Sequence, residues 1–176
     1  MGMYTELNIG VKLNKKAITD GVIDILKYMT EWDGEHNQLP NHPLFETSRW
    51  DIMLNCGSAY FMDQPDSKVI ISKYNPNEDI WLNVRSNLKN YDWEIELFLD
   101  WIQPYIEYDE FIGYMRYEEY ENPTLIYNSD DGIMLQQLFP DGIHKWTSLT
   151  EYLKDNKKYM EWSYKCKERE RERISV

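Results

Sequence analysis

The sequence predicts an α+β fold: a mostly antiparallel sheet with helices on one face and a C-terminal helix. Three observations lead there. Segments of alternating apolar and polar residues come in runs separated by single helical segments, rather than trading places with helices one for one. Turn signals stand between neighbouring strand segments, at Asn75-Pro76-Asn77, Asp130-Asp131-Gly132 and Pro140-Asp141-Gly142, as hairpins require. Finally, 176 residues with 42% hydrophobic and 15% aromatic content suffice for one domain to bury a core without disulfides or a metal.

Each element has its own warrant. Residues 4–13 place Leu7, Ile9, Val11 and Leu13 on one side and Glu6, Asn8, Gly10 and Lys12 on the other, the period of a half-buried strand. Thr19 or Asp20 then caps a helix to about Met29, with Val22, Ile25, Leu26 and Met29 at the spacing of one buried face. Residues 31–48 read as a long loop with two prolines and a glycine, and structureless loops of that length are often functional. Strands follow at 50–62, 68–74 and 79–86. A second helix starts near Asp92, with Ile95, Phe98, Leu99 and Ile102 as its stripe. Asp92, Glu94 and Glu96 occupy its first turns, where the helix dipole favours negative charge, and Pro104 is expected to end or kink it around residues 101–103. Further strands are expected at 111–119, 124–128 and 133–139. Ser148 and Glu151 have the spacing of a capping box, opening a helix to about Arg171 whose end is a solvated run of Lys, Arg and Glu. The order β-α-β-β-β-α-β-β-β-α fits a ferredoxin-like core with extra hairpins. Residues 1–147 form the acidic α+β domain, and 148–176 a charged helix packed on it or extending from it.

The formal net charge is −12, unevenly placed. Residues 148–176 hold eight Lys/Arg and six Asp/Glu, leaving eleven basic and twenty-five acidic residues in 1–147. Such a body repels phosphate backbones and anionic membranes, so neither direct nucleic-acid binding nor membrane binding is expected, whereas basic protein surfaces are attracted. Two cysteines, Cys56 and Cys166, read as free thiols in a reducing compartment. The opening residues lack a signal-peptide pattern, and no apolar run approaches a membrane span; a cytoplasmic protein is expected.

Few residues offer catalytic chemistry. Asp33, Glu35, His36 and His42 gather in the 31–48 loop and could suit a metal-dependent enzyme, but without the spacing of a helix-borne zinc site. Cys56 lies in an apolar segment where an inert buried thiol is expected. No nucleophile elbow and no glycine-rich phosphate loop is present. Neither a cofactor, a metal nor a catalytic residue is assigned.

The sharper signal is an acidic, ring-rich belt. Residues 92–121 carry ten acids against one base, Arg116. Candidate binding residues on its aromatic side are Tyr91, Trp93, Trp101, Tyr105, Tyr114 and Tyr117; Glu94, Glu118, Glu119, Glu121 and Arg116 supply the charge. Tyr and Trp provide contact area at low entropic cost and are enriched at interface hot spots. The competing explanation is a solvated helix face followed by a strand charged to prevent edge pairing. Alternatively, Trp50, Tyr60 and Trp81 could hold a small molecule or stack on a nucleotide; Arg49, Lys73, Arg85, Lys89 and Arg116 are then the only placed bases for its phosphates. Exposed rings are also compatible with a homo-oligomer.

Five stretches, at residues 3–9, 22–29, 39–45, 84–91 and 123–127, resemble a group of small bacteriophage and prophage proteins; among them are Leu39-Pro40-Asn41-His42-Pro43-Leu44-Phe45 and Pro123-Thr124-Leu125-Ile126-Tyr127. The resemblance spans roughly residues 3–128. It implies a phage-derived protein in a bacterial host cell, and accessory proteins of that kind often bind and inhibit host defence or regulatory factors, or sequester a signalling nucleotide. It implies no functional residues.

Overall fold

A computed structural model describes residues 3–32, 38–56, 67–76, 78–157, 159–162 and 164–165. Its centre is β1 (Thr5–Leu13), which pairs antiparallel with β3 (Ile80–Leu88) from Thr5↔Leu88 to Leu13↔Ile80, and with β4 (Phe111–Tyr117) from Thr5↔Tyr117 to Ile9↔Gly113. β2 (Lys68–Ile71) adds to the outer side of β3. Beyond β4 run β5 (Thr124–Ser129), β6 (Gly132–Leu138) and β7 (His144–Ser148), giving the order β2-β3-β1-β4-β5-β6-β7 with every pairing antiparallel. The first four strands, with a helical connection before β2 and another before β4, form a split βαβ core of the ferredoxin-like type. The last three strands are the extra hairpins.

Alternation decides which face is covered. Leu7, Ile9, Val11 and Leu13 of β1 and Ile80, Leu82 and Val84 of β3 are buried, whereas Trp81 and Asn83 are exposed. The covering layer is α1 (Lys16–Thr19), α2 (Val22–Glu31), α3 (Glu94–Ile102) and α4 (Leu149–Tyr152), whose buried residues share one core with the inner strand residues. Gly113 is fixed by close approach: the strand register shifts between Phe111 and Gly113, φ is 149°, and a Cβ would stand 2.0 Å from the Asn8 carbonyl oxygen.

Several expected elements come out differently. The first helix splits, because Gly21 at φ 71° turns the chain between α1 and α2 and replaces Thr19 or Asp20 as the cap of the longer one. In the expected strand at 50–62, Met53–Asn55 is a 3₁₀ turn packed into the core, and 57–62 lies outside the described residues. The 31–48 loop includes a 3₁₀ turn at Pro43–Glu46, with Pro43 in its first turn. β7 has no counterpart in the expected elements. The N-cap half of the capping box forms, Ser148 Oγ accepting from the Glu151 N–H at 3.2 Å. The helix it opens is not continuous: α4 passes into a 3₁₀ turn at Leu153–Asp155, and Asn156 re-caps the chain by accepting from the Tyr159 N–H at 3.1 Å. Among the described residues, no helix is long and apolar enough to cross a membrane.

Candidate functional site

The acidic belt does not form one face. α3 is buried almost all round, so its carboxylates had to find partners or a cavity. Glu94 is fully buried: Arg49 Nη1 lies 3.1 Å from its Oε1, and the Asp92 N–H donates to its Oε2 at 3.0 Å. The same guanidinium stands 5.4 Å from the centre of the Tyr91 ring. Trp101 is core, edge-on to Phe45 at 5.1 Å. Tyr105 belongs to the opposite end of the sheet, its hydroxyl donating to Asp20 at 3.3 Å beneath the Lys16 ammonium. Tyr114 and Arg116 project from the face without helices, where both meet the buried Glu6, at 2.6 Å and 3.4 Å. These residues leave the recognition surface for physical reasons: burial for Trp101, internal neutralisation for Glu94 and Arg116, and strand alternation for Tyr114.

What the fold does bring together is Trp93, Tyr117 and the 118–121 turn. Trp93 and Tyr117 meet Glu96, Tyr120 and Tyr152 around a cleft of about 310 Å³ between the N-terminal end of α3, the ends of β1, β4 and β5, and α4. Two edge-to-face ring pairs line it, Trp93 with Tyr152 at 5.6 Å and Tyr117 with Tyr120 at 5.2 Å. Trp93 holds φ 63° and ψ 32°, the left-handed region, which costs a non-glycine residue roughly 1–3 kcal/mol and clusters at functional sites. A second hollow of about 360 Å³ continues past Tyr120 along Glu119 and Glu121 to Phe139. None of the described residues lining either hollow is Lys or Arg. Glu118, Glu119 and Glu121 are exposed at this end, and neither Glu119 nor Glu121 makes a salt bridge among the described residues.

Burial around the cleft favours the protonated forms of its titratable groups. Glu96 is buried, and burial pushes its carboxyl above the usual range, opposed by the Asn90 amide donating at 2.7 Å. The Tyr152 phenol is raised first by burial and then by Glu96. That of Tyr117 is raised by desolvation and then by Glu119 and Glu118.

The remaining candidates are placed elsewhere. His42 has both ring nitrogens engaged: Nδ1 accepts from the Leu44 N–H at 3.2 Å, which leaves the Nε2 proton for Asp100 at 3.1 Å. Asp33, Glu35 and His36 lie outside the described residues, as does Tyr60; among the described residues, no group of three or more His, Cys, Asp or Glu could hold a metal. Cys56 Sγ donates to the Ile52 carbonyl at 3.2 Å, and burial pushes its thiol up. Trp50 packs on Phe45 at 5.2 Å, and Trp81 stands on the outer face. Of the bases a nucleotide would need, Arg49 and Arg116 are committed to carboxylates, and neither Lys73, Arg85 nor Lys89 lines the cleft. Glu96, Tyr120 and Tyr152 went unassigned in the sequence. By its position in the first turns of α3, Glu96 belongs with the acids of the belt; the apolar neighbours Ile95, Leu97, Phe98 and Leu99 are the signal that this helix is buried on more than one side.

No protein-family model, no curated protein and no solved structure matches this chain.

Proposed function

We propose that the chain is a non-enzymatic binding protein of the phage accessory kind, which takes a basic surface of a host defence or regulatory protein against the ring-lined acidic end of its sheet and inhibits it. One observation carries the reading: two adjoining hollows are lined by aromatic rings and carboxylates, Glu96 buried in the first and Glu119 and Glu121 exposed along the second, with no described Lys or Arg lining them. Such a surface steers a cationic partner toward it, while the rings supply contact once it arrives. The phage resemblance supports a host protein as the partner. A small-ligand reading is favoured by the volume of the cleft, about 310 Å³, within the range of ligand pockets; its walls favour a cation over a nucleotide.

The test is affinity capture from a bacterial lysate at low and high salt, using the parent chain and a Glu118→Lys/Glu119→Lys/Glu121→Lys variant. A specific basic protein should be held by the parent at low salt, released at high salt and lost by the variant, whose melting temperature stays close to the parent's. The same protein captured equally by both chains would overturn the reading.

A further inference from the structure

We infer that the cleft bounded by Trp93, Tyr117, Tyr120 and Tyr152 binds an alkylammonium group, with the buried Glu96 carboxylate as its counter-charge. The inference deepens the binding reading above by naming the chemical group that this end of the sheet receives.

Glu96 is the starting point. It is buried, it lines the cleft, and the partners the chain gives its carboxyl are neutral, the Asn90 amide at 2.7 Å and its own backbone N–H. No salt bridge reaches it among the described residues. A carboxylate taken out of water without a cation is costly, and proteins ordinarily pair it or protonate it. Here the fold has left an open volume beside it instead of an arginine. Rings line that volume, and ring faces are negative. Aromatic walls with one carboxylate are the chemistry that recognises organic ammonium ions, because the walls attract the charge without needing to strip a hydration shell as a small metal ion would demand. Hard divalent cations want several oxygen ligands, and no group of three acidic or other ligating side chains is arranged for one among the described residues. Anions are disfavoured by Glu119 and Glu121, which line the adjoining hollow, and by Glu96 wherever it is ionised.

The ammonium could be a lysine side chain of a protein partner or a free amine, and the two are separable by experiment. The full chain is titrated calorimetrically at alkaline pH with n-butylammonium, tetramethylammonium, the neutral isostere 3,3-dimethylbutanol, and a capped Gly-Lys-Gly peptide. We expect the two cations to bind at least about tenfold more tightly than the neutral isostere, a difference of about 1.4 kcal/mol. Peptide binding as tight as butylammonium assigns the site to a protein side chain; preference for the free amine assigns it to a small molecule; either supports the ammonium site. Glu96→Gln, which keeps a carbonyl for Asn90, should weaken both cations at least about tenfold and leave the isostere unchanged. Tyr120→Ala, at a ring 61% exposed and outside the core, should weaken tetramethylammonium without changing the melting temperature. Cation and isostere binding equally, or Glu96→Gln binding the cations as the parent does, overturns the inference. Failed ammonium binding alongside a salt-sensitive partner still captured by the 118–121 rim would sink this site alone; ammonium binding with no partner captured would sink only the protein-partner reading.

Discussion

Glu94 and Glu96 stand two residues apart on one helix, both buried, and the molecule treats them oppositely. Glu94 meets Arg49 at 3.1 Å and a backbone N–H at 3.0 Å. Glu96 meets an amide and a cleft. The side chains are identical and the burial nearly so; what differs is whether the chain supplies the opposing charge. On the Glu94 side the carboxylate is finished, a structural pair that fixes the residue 49 loop to the start of α3. On the Glu96 side it is left open, and incompleteness of that kind is a more specific mark of a binding site than acidity itself.

The contrast can be broken most severely from the finished side. Arg49→Met should cost about 3 kcal/mol in urea unfolding, since removing one partner leaves a buried charge uncompensated, and Glu94→Gln in the same chain should recover part of that loss in a double-mutant cycle. Asn90→Ala comes next. It removes both the donor to Glu96 and the acceptor of the Ile95 N–H at 2.9 Å, for an expected loss of about 2 kcal/mol. Glu96→Gln should act in the other direction. Burial raises the folded-state pKa of Glu96, with Glu94 adding repulsion, while Tyr152 faces it from α4. The stability tied to its proton is therefore complete below the unfolded carboxyl range and is lost as pH rises through the raised folded value. Melting curves of parent and Glu96→Gln should coincide in acid and separate toward alkaline pH, with the variant the more stable; a separation that shrinks with rising pH would remove the asymmetry between the two glutamates. The smallest effect belongs to the rim, where Glu119→Lys and Glu121→Lys should each change stability by no more than about 0.5 kcal/mol.

Period-two patterning made the sheet legible: Leu7 to Leu13 and Ile80 to Val84 face the core as the alternation implies. Asp130-Asp131-Gly132 marked its hairpin, with Ser129 paired to Gly132 across it. What failed was orientation of charge. A glutamate in a helix's first turn reads as solvated, because the local sequence does not show that residue 49 will bring an arginine or that α4 will close over the neighbouring turn. Tyr114 and Tyr117 look equivalent in sequence, yet strand alternation sends one to Glu6 on the outer face and the other to the cleft. β7 escaped notice because His144, Lys145 and Trp146 are all exposed, so an edge strand carries little of the alternation by which strands are recognised. Asn156 broke the expected long helix through a cap that local propensity alone does not distinguish from a mid-helix asparagine.

Asn156 has a kinetic consequence. The turn it starts sends Trp162 against the His42 ring at 4.6 Å, with the indole N–H on the carbonyl of Asn41, 121 residues upstream, and the Tyr159 hydroxyl on Asp100. Contacts so distant along the chain close late and slowly. During synthesis, the face of the His42 ring that meets Trp162 can be covered only once the residues through Trp162 have left the ribosome.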